Sequence, residues 1–291
     1  MSLARQTRDH VLSIISASAP ALGGGLNPHE LRPEIAPYTP AVEVAARQIA
    51  MRMRHDLQRL KEIKSIDRKI AAKREMLPEY SPWCDGLLEA GRMTNGRELG
   101  SSGADEVLPV AMVWSIDVGD WPRALELAGH VLRFDVKLPA RYERDAPTLV
   151  LEEIAEAALK VQAKGDIFPI DILERVDELT ADVDMHDEPR AKLLKAIGAE
   201  LVRAAGMSTG DAIVPTIDRA VAVLTRAHDL HDRVGVKTML KGLEKAKLAA
   251  VHIDPVDGHA GSAATPPVTL PATVPDSANS SDDRNSGASA G

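Results

Sequence analysis

Aromatic residues make up only 3% of these 291 residues, with three Trp, three Tyr and two Phe. So few rings, beside abundant alanine, disfavour a β-sandwich core and suit helix-on-helix packing. There is one cysteine, Cys84. It excludes a disulfide framework and fits a reducing compartment. No apolar run approaches the roughly 20 residues needed to span a bilayer. The apolar stretch 11–15 is too short for a secretory signal and is interrupted by Ser13, so residues 1–20 are expected to form a short amphipathic helix. Catalytic signatures are also missing. Gly23-Gly24-Gly25 has no Lys-Ser/Thr after it, which excludes a phosphate-cradling Walker loop. Neither HExxH nor a Cys/His cluster occurs.

The charge is present but unevenly placed. The net charge is −8. Between Arg47 and Arg74 stand Arg47, Arg52, Arg54, Arg59, Lys61, Lys64, Arg68, Lys69, Lys73 and Arg74 against only Asp56, Glu62 and Asp67. That segment carries +7 and the remainder −15. Such segregation points to one localised anionic partner. These ten cations are the candidate DNA-binding residues. No aromatics interleave them, so they suit contact with a phosphate backbone better than base stacking. A solvated helix face, or ion pairs to the acidic remainder, is the competing explanation.

Four regions are expected. Residues 1–40 end in a Gly/Pro-rich connector. Thr39 and Pro40 then fit an N-cap and first helical position. From 41 to 77 neither Gly nor Pro occurs, and Ala46, Ile49, Met53, Leu60, Ile63 and Ile70 form a heptad stripe broken by Asp56 and Asp67. The spacing predicts one long basic amphipathic helix of about 54 Å. Its stripe needs a second helix or a second subunit. Arg47, Arg54, Lys61 and Arg68 form one row on it, and Arg52, Arg59 and Lys73 another.

Pro78 and Pro82 stop that helix, and 78–250 reads as an α-helical hairpin domain. Helices are expected over 83–91, 105–116, 121–134, 149–163, 169–181, 188–205, 212–230 and 236–249, with a glycine-punctuated loop at 92–104 and turns at Gly119-Asp120 and 233–235. The 119–132 stretch has a tetratricopeptide-like pattern, with Ala124 and Ala128 permitting close approach and Leu125, Val131 and Leu132 filling the core. Two such units are too few for a free-standing solenoid. From 251 to 291 the composition predicts a disordered tail. The fold class is therefore all-α: a long basic N-terminal helix, packed helical hairpins and a disordered C-terminal tail.

Other clusters are weaker. Asp177, Glu178, Asp182, Asp184, Asp187 and Glu188 could in principle gather Mg²⁺ for a nuclease. Capping by Asp187 and solvation at helix ends account for them as well. His228, His231 and Asp232 lack a third ligand at metal spacing. Cys84 reads as a small core residue, and Trp83, Trp114 and Trp121 as core. No catalytic residue and no metal site is assigned.

Three stretches in order, KREMLPEYSPWCDGLLEAG (73–91), DEVLPVAMVWSIDVGDWPRALELAGHVL (105–132) and DMHDEPRAKLLKAIG (184–198), with GVKTMLKGLEKAK (235–247), resemble the phage small terminase subunit family, also called the terminase endonuclease subunit. The resemblance runs from about residue 40 to 250. It implies a DNA-packaging role in the host cytoplasm, away from any membrane. The implied partners are double-stranded viral DNA, a large subunit carrying the ATPase motor, and further copies of the chain, with a ring among the assemblies the resemblance implies. Members are commonly labelled endonucleases. With no nuclease centre evident, cleavage is expected mainly in the large subunit and this chain needs no cofactor. Mg²⁺ enters only if the chain is itself an endonuclease. A helical scaffold binding only protein is the third alternative. Some relatives are expected to end in a basic tail. This one is neutral to acidic, which shifts the expected DNA contact to the basic helix.

Overall fold

The computed structural model describes residues 40–94 and 105–251. The segment 1–39, most of the 92–104 loop and the tail from 252 lie outside them. The described residues are all-α, with ten α-helices and no strand among them. They divide into two compact units, with the boundary between Ala146 and Pro147. That boundary falls inside the 78–250 region.

Unit 1 contains α1 (Pro40–Glu62), α2 (Ile66–Met76), α3 (Ser81–Met93), α4 (Val107–Val118) and α5 (Trp121–Arg133), with a 3₁₀ turn at Leu77–Glu79. Its centre is α4. Every residue from Val107 to Ile116 is buried, as expected of a helix that is apolar all round. α1, α2, α3 and α5 all contact it. Trp114 lies edge-on to Tyr80, with ring centroids 5.8 Å apart. Gly119 adopts φ +77°, a left-handed C-cap that costs a glycine little. The Asp120 N–H then reaches the Ser115 carbonyl at 2.9 Å, and the Asp120 side chain caps α5 by accepting from the Arg123 N–H at 3.3 Å.

The expected single helix over 41–77 is two helices. The chain leaves helical geometry at 63–65. Ser65 is extended (φ −74°, ψ 128°) and its hydroxyl accepts from the Arg68 N–H. Serine competes well for this place because its short side chain satisfies a donor that a new helix leaves orphaned. The stripe is also partly covered within the chain: Ala46, Met53 and Leu60 are buried, and Ile49, Ile63 and Ile70 half-buried. Asp56 does not break it. Asp56 is 8% exposed and accepts the Tyr80 hydroxyl at 2.8 Å. Burial and this carboxylate together push the Tyr80 phenol far above its ordinary pKa. The pair joins α1 to the start of α3.

Unit 2 contains α6 (Ala146–Ala163), α7 (Ile170–Thr180), α8 (Asp187–Met207), α9 (Ile213–Leu230) and α10 (Lys237–Val251). α8 is its axis, contacting α7, α9 and α10. The buried Glu200 of α8 accepts from Gln162 at 2.8 Å and from the Phe168 N–H at 3.1 Å. That satisfied carboxylate fixes α6 and the following loop against α8. Gly198 allows the fully buried Leu224 of α9 to approach the α8 backbone. Gly235, at φ +81°, makes the turn into α10.

Candidate nucleic-acid interface

The ten cations separate by what they touch. Four are engaged inside unit 1. Lys73 meets Asp117 at 2.7 Å and is largely covered, so it ties α2 to α4. Arg74 donates to the Val118 carbonyl at 3.2 Å, satisfying one of the orphan acceptors at the end of α4. Arg52 pairs with Glu79 at 3.1 Å, and Arg47 with Glu43 at 3.2 Å. Each of these four thus has a partner within the unit. Both Arg74 and Arg123 line a cavity of about 390 Å³ floored by Leu77, Cys84, Ala111 and Leu127, and Arg123 is itself held by Asp85 and Glu126.

The other six, Arg54, Arg59, Lys61, Lys64, Arg68 and Lys69, have no carboxylate partner among the described residues. All but the half-buried Lys69 are exposed. The break gives them their arrangement. Arg59 and Lys61 occupy the last turn of α1, Lys64 lies in the break, and Arg68 stands in the first turn of α2. The single row expected from Arg47 to Arg68 is therefore interrupted between Lys61 and Arg68, and these two stand with Arg59 and Lys64 at an elbow. Asp56 is turned inward, so only Glu62 and Asp67 offset them there. Such a surface can hold an anionic backbone, with no aromatic side chain interleaved for stacking.

Three of the six acidic candidates are held in ion pairs, and Asp182, Asp184 and Asp187 are exposed. Asp177 meets Arg190 at 3.5 Å, Glu178 meets Arg175 at 2.9 Å, and Glu188 meets Lys192 at 3.2 Å. Burial raises the Asp177 pKa, with Arg190 opposing the shift. Asp187 is not the cap of α8; His186 holds that position without a side-chain bond, and Asp187 opens the first turn. No group of three His, Cys, Asp or Glu side chains able to hold a metal occurs among the described residues. Cys84 is buried, and burial pushes its thiol up to about 12, which leaves it inert. Trp114 is core as expected, whereas Trp83 and Trp121 are only half-buried.

A profile of the phage small terminase subunit family matches residues 50–188. The chain is 36% identical over 198 residues to the terminase, endonuclease subunit of Escherichia phage P2, covering 68% of this chain and 72% of that protein. The chain belongs to the phage small terminase subunit family. A second member, the probable terminase, endonuclease subunit of Haemophilus phage HP1, is 22% identical over 193 residues, covering 65% of this chain and 66% of that one. No solved structure gives a significant match. The profile begins within α1 and includes the whole elbow of this small terminase subunit, but it stops in the first turn of α8. Among the described residues no helix is long and apolar enough to cross a membrane.

Proposed function

We propose that this small terminase subunit binds double-stranded viral DNA through the α1–α2 elbow and directs its packaging and cutting by a large ATPase subunit in the host cytoplasm. The observation that carries the proposal is the set of exposed cations, Arg59, Lys61, Lys64 and Arg68, left without carboxylates in a chain that has acids to spare. Each phosphate such a residue neutralises steepens the fall of log K with log salt by about 0.9. Changing these four to Glu should therefore remove about 3 to 4 from the salt slope for duplex phage-end DNA, measured by fluorescence anisotropy on the full chain. An unchanged slope would sink the elbow assignment.

Both named relatives carry the word endonuclease. We place the cutting chemistry of the complex in the large subunit, and give this chain no cofactor of its own, because three of its clustered acids, Asp177, Glu178 and Glu188, are held by Arg190, Arg175 and Lys192. Incubating the purified chain with Mg²⁺ and packaging-site DNA tests this, and any nicking reverses it. Self-association is part of the proposal on the family resemblance alone, since Ala46, Met53 and Leu60 of the stripe are already buried within the chain. Native mass measurement with and without DNA decides it.

A further inference from the structure

Unit 2 contains a second set of cations without counterions. Residues 147–225 hold fifteen Asp/Glu against eight Lys/Arg, whereas 226–251 hold three against six. Among the eight, six meet a carboxylate, Lys195 donates to the Val234 carbonyl at 2.7 Å, and only the exposed Lys164 has no ion-pair partner among the described residues. Among the six, Lys247 holds Asp218. Arg226, Arg233, Lys237, Lys241 and Lys245 have no ion-pair partner among the described residues, and all five are exposed. In a unit with surplus acid, cations scattered at random would mostly be paired.

Three of the five form a line. Lys237, Lys241 and Lys245 are four apart on α10, so they share one face over about 12 Å. The opposite face is fixed: Val236, Leu243 and Ala246 are buried and α10 packs on α9. Lys195, bound at Val234, holds the turn that starts the helix. One strand of duplex DNA presents a phosphate about every 3.4 Å of axis, so a 12 Å row faces three or four of them. Exposed Thr238 lies beside the row and adds a hydroxyl donor. Glu244 is the one acid of α10, and Leu248 follows the row.

We infer that the Lys237–Lys241–Lys245 face of α10 is a second DNA-backbone surface, separate from the elbow and on the other unit. The inference rests on the DNA-binding role proposed above. It also lies beyond the 50–188 match to the family.

The test uses the full chain and a 40-base-pair duplex, with affinity followed by anisotropy across a salt series. Three proteins are compared: the K237Q/K241Q/K245Q triple, its K237R/K241R/K245R counterpart, and the four-Glu elbow variant. The Gln triple should lower the slope of log K against log salt by about 2.7, three phosphates at 0.9 each, and weaken binding at least tenfold at physiological salt. The Arg triple should keep both. A Gln triple with the wild-type slope overturns the second surface, whether or not the elbow variant loses affinity; a protein-only role for this face gives that result. A lysine effect beside a silent elbow variant keeps this surface and removes the elbow. A wild-type chain that binds no duplex at all removes both.

Discussion

Gly198 and Gly86 both sit inside helices, and the structure assigns them opposite responses to the same change. A Cβ at Gly198 would overlap Leu224, including its branch carbon, which cannot rotate away as a side-chain tip could. Ala gains about 1 kcal/mol in helix propensity over Gly, but forcing a methyl into a packed contact costs about 1–3 kcal/mol. Gly198→Ala should therefore lower the urea midpoint with little change in m-value. At Gly86 a Cβ meets nothing within 4 Å, so only the propensity gain remains. Gly86→Ala should raise the midpoint by up to about 1 kcal/mol of stability. A Gly198→Ala midpoint equal to or above wild type would mean that α9 shifts freely on α8.

Ser65 closes the α1–α2 elbow by capping α2, and it can separate fold from binding. Ser65 caps α2 through the Arg68 N–H. Ser65→Ala should remove roughly 0.5–2 kcal/mol of stability. Ser65→Asp keeps a good cap and places negative charge at the helix N-terminus, where it is favourable. It also puts that charge between Lys64 and Arg68. Melting should stay near wild type while duplex affinity falls; equal DNA binding by Ser65→Asp would move the interface away from the elbow. The elbow was not legible in the sequence, because Ser65 is neither Gly nor Pro and Ile63 and Ile70 keep the heptad spacing across it. Some other element ends were legible from residues that must interrupt or turn a helix, such as Pro78, Gly119 and Gly235, whereas Pro82, expected as a stop, lies in the first turn of α3. The division of the cations was hidden for a different reason. Lys73 and Arg74 find Asp117 and Val118 forty-four residues away, and no local pattern encodes such a partner. The buried Asp56 looked like a fault in the stripe because its donor, Tyr80, lies twenty-four residues on.

For the whole molecule, the ionisable groups set an asymmetric pH window. Burial, with Arg133 nearby, lowers the His130 pKa. The unfolded chain therefore binds its proton first, and stability declines as pH falls below about 6.5, the ordinary histidine value. On the alkaline side every shift acts in one direction. Burial raises Cys84 to about 12 and also raises Tyr142 and Tyr80. Burial alone would lower Lys192, but Glu188, Glu152 and Glu156 outweigh it and the net shift is upward. A group whose pKa is raised by folding contributes stability below its unfolded value and loses it as pH rises. Cys84 titrates first in the unfolded chain, at about 8.5, with tyrosine and lysine following at about 10 and above. Melting temperature should thus be flat between roughly pH 6.5 and 8.5 and fall on both sides. His130→Gln should flatten the acid limb, and Cys84→Ala should delay the alkaline decline to about pH 10, both against wild type in calorimetry from pH 5 to 10. The two limbs belong to different residues, so each variant should leave the other limb in place. A Cys84→Ala protein whose melting still begins to fall at pH 8.5 would show that the buried thiol does not set the alkaline edge of the fold.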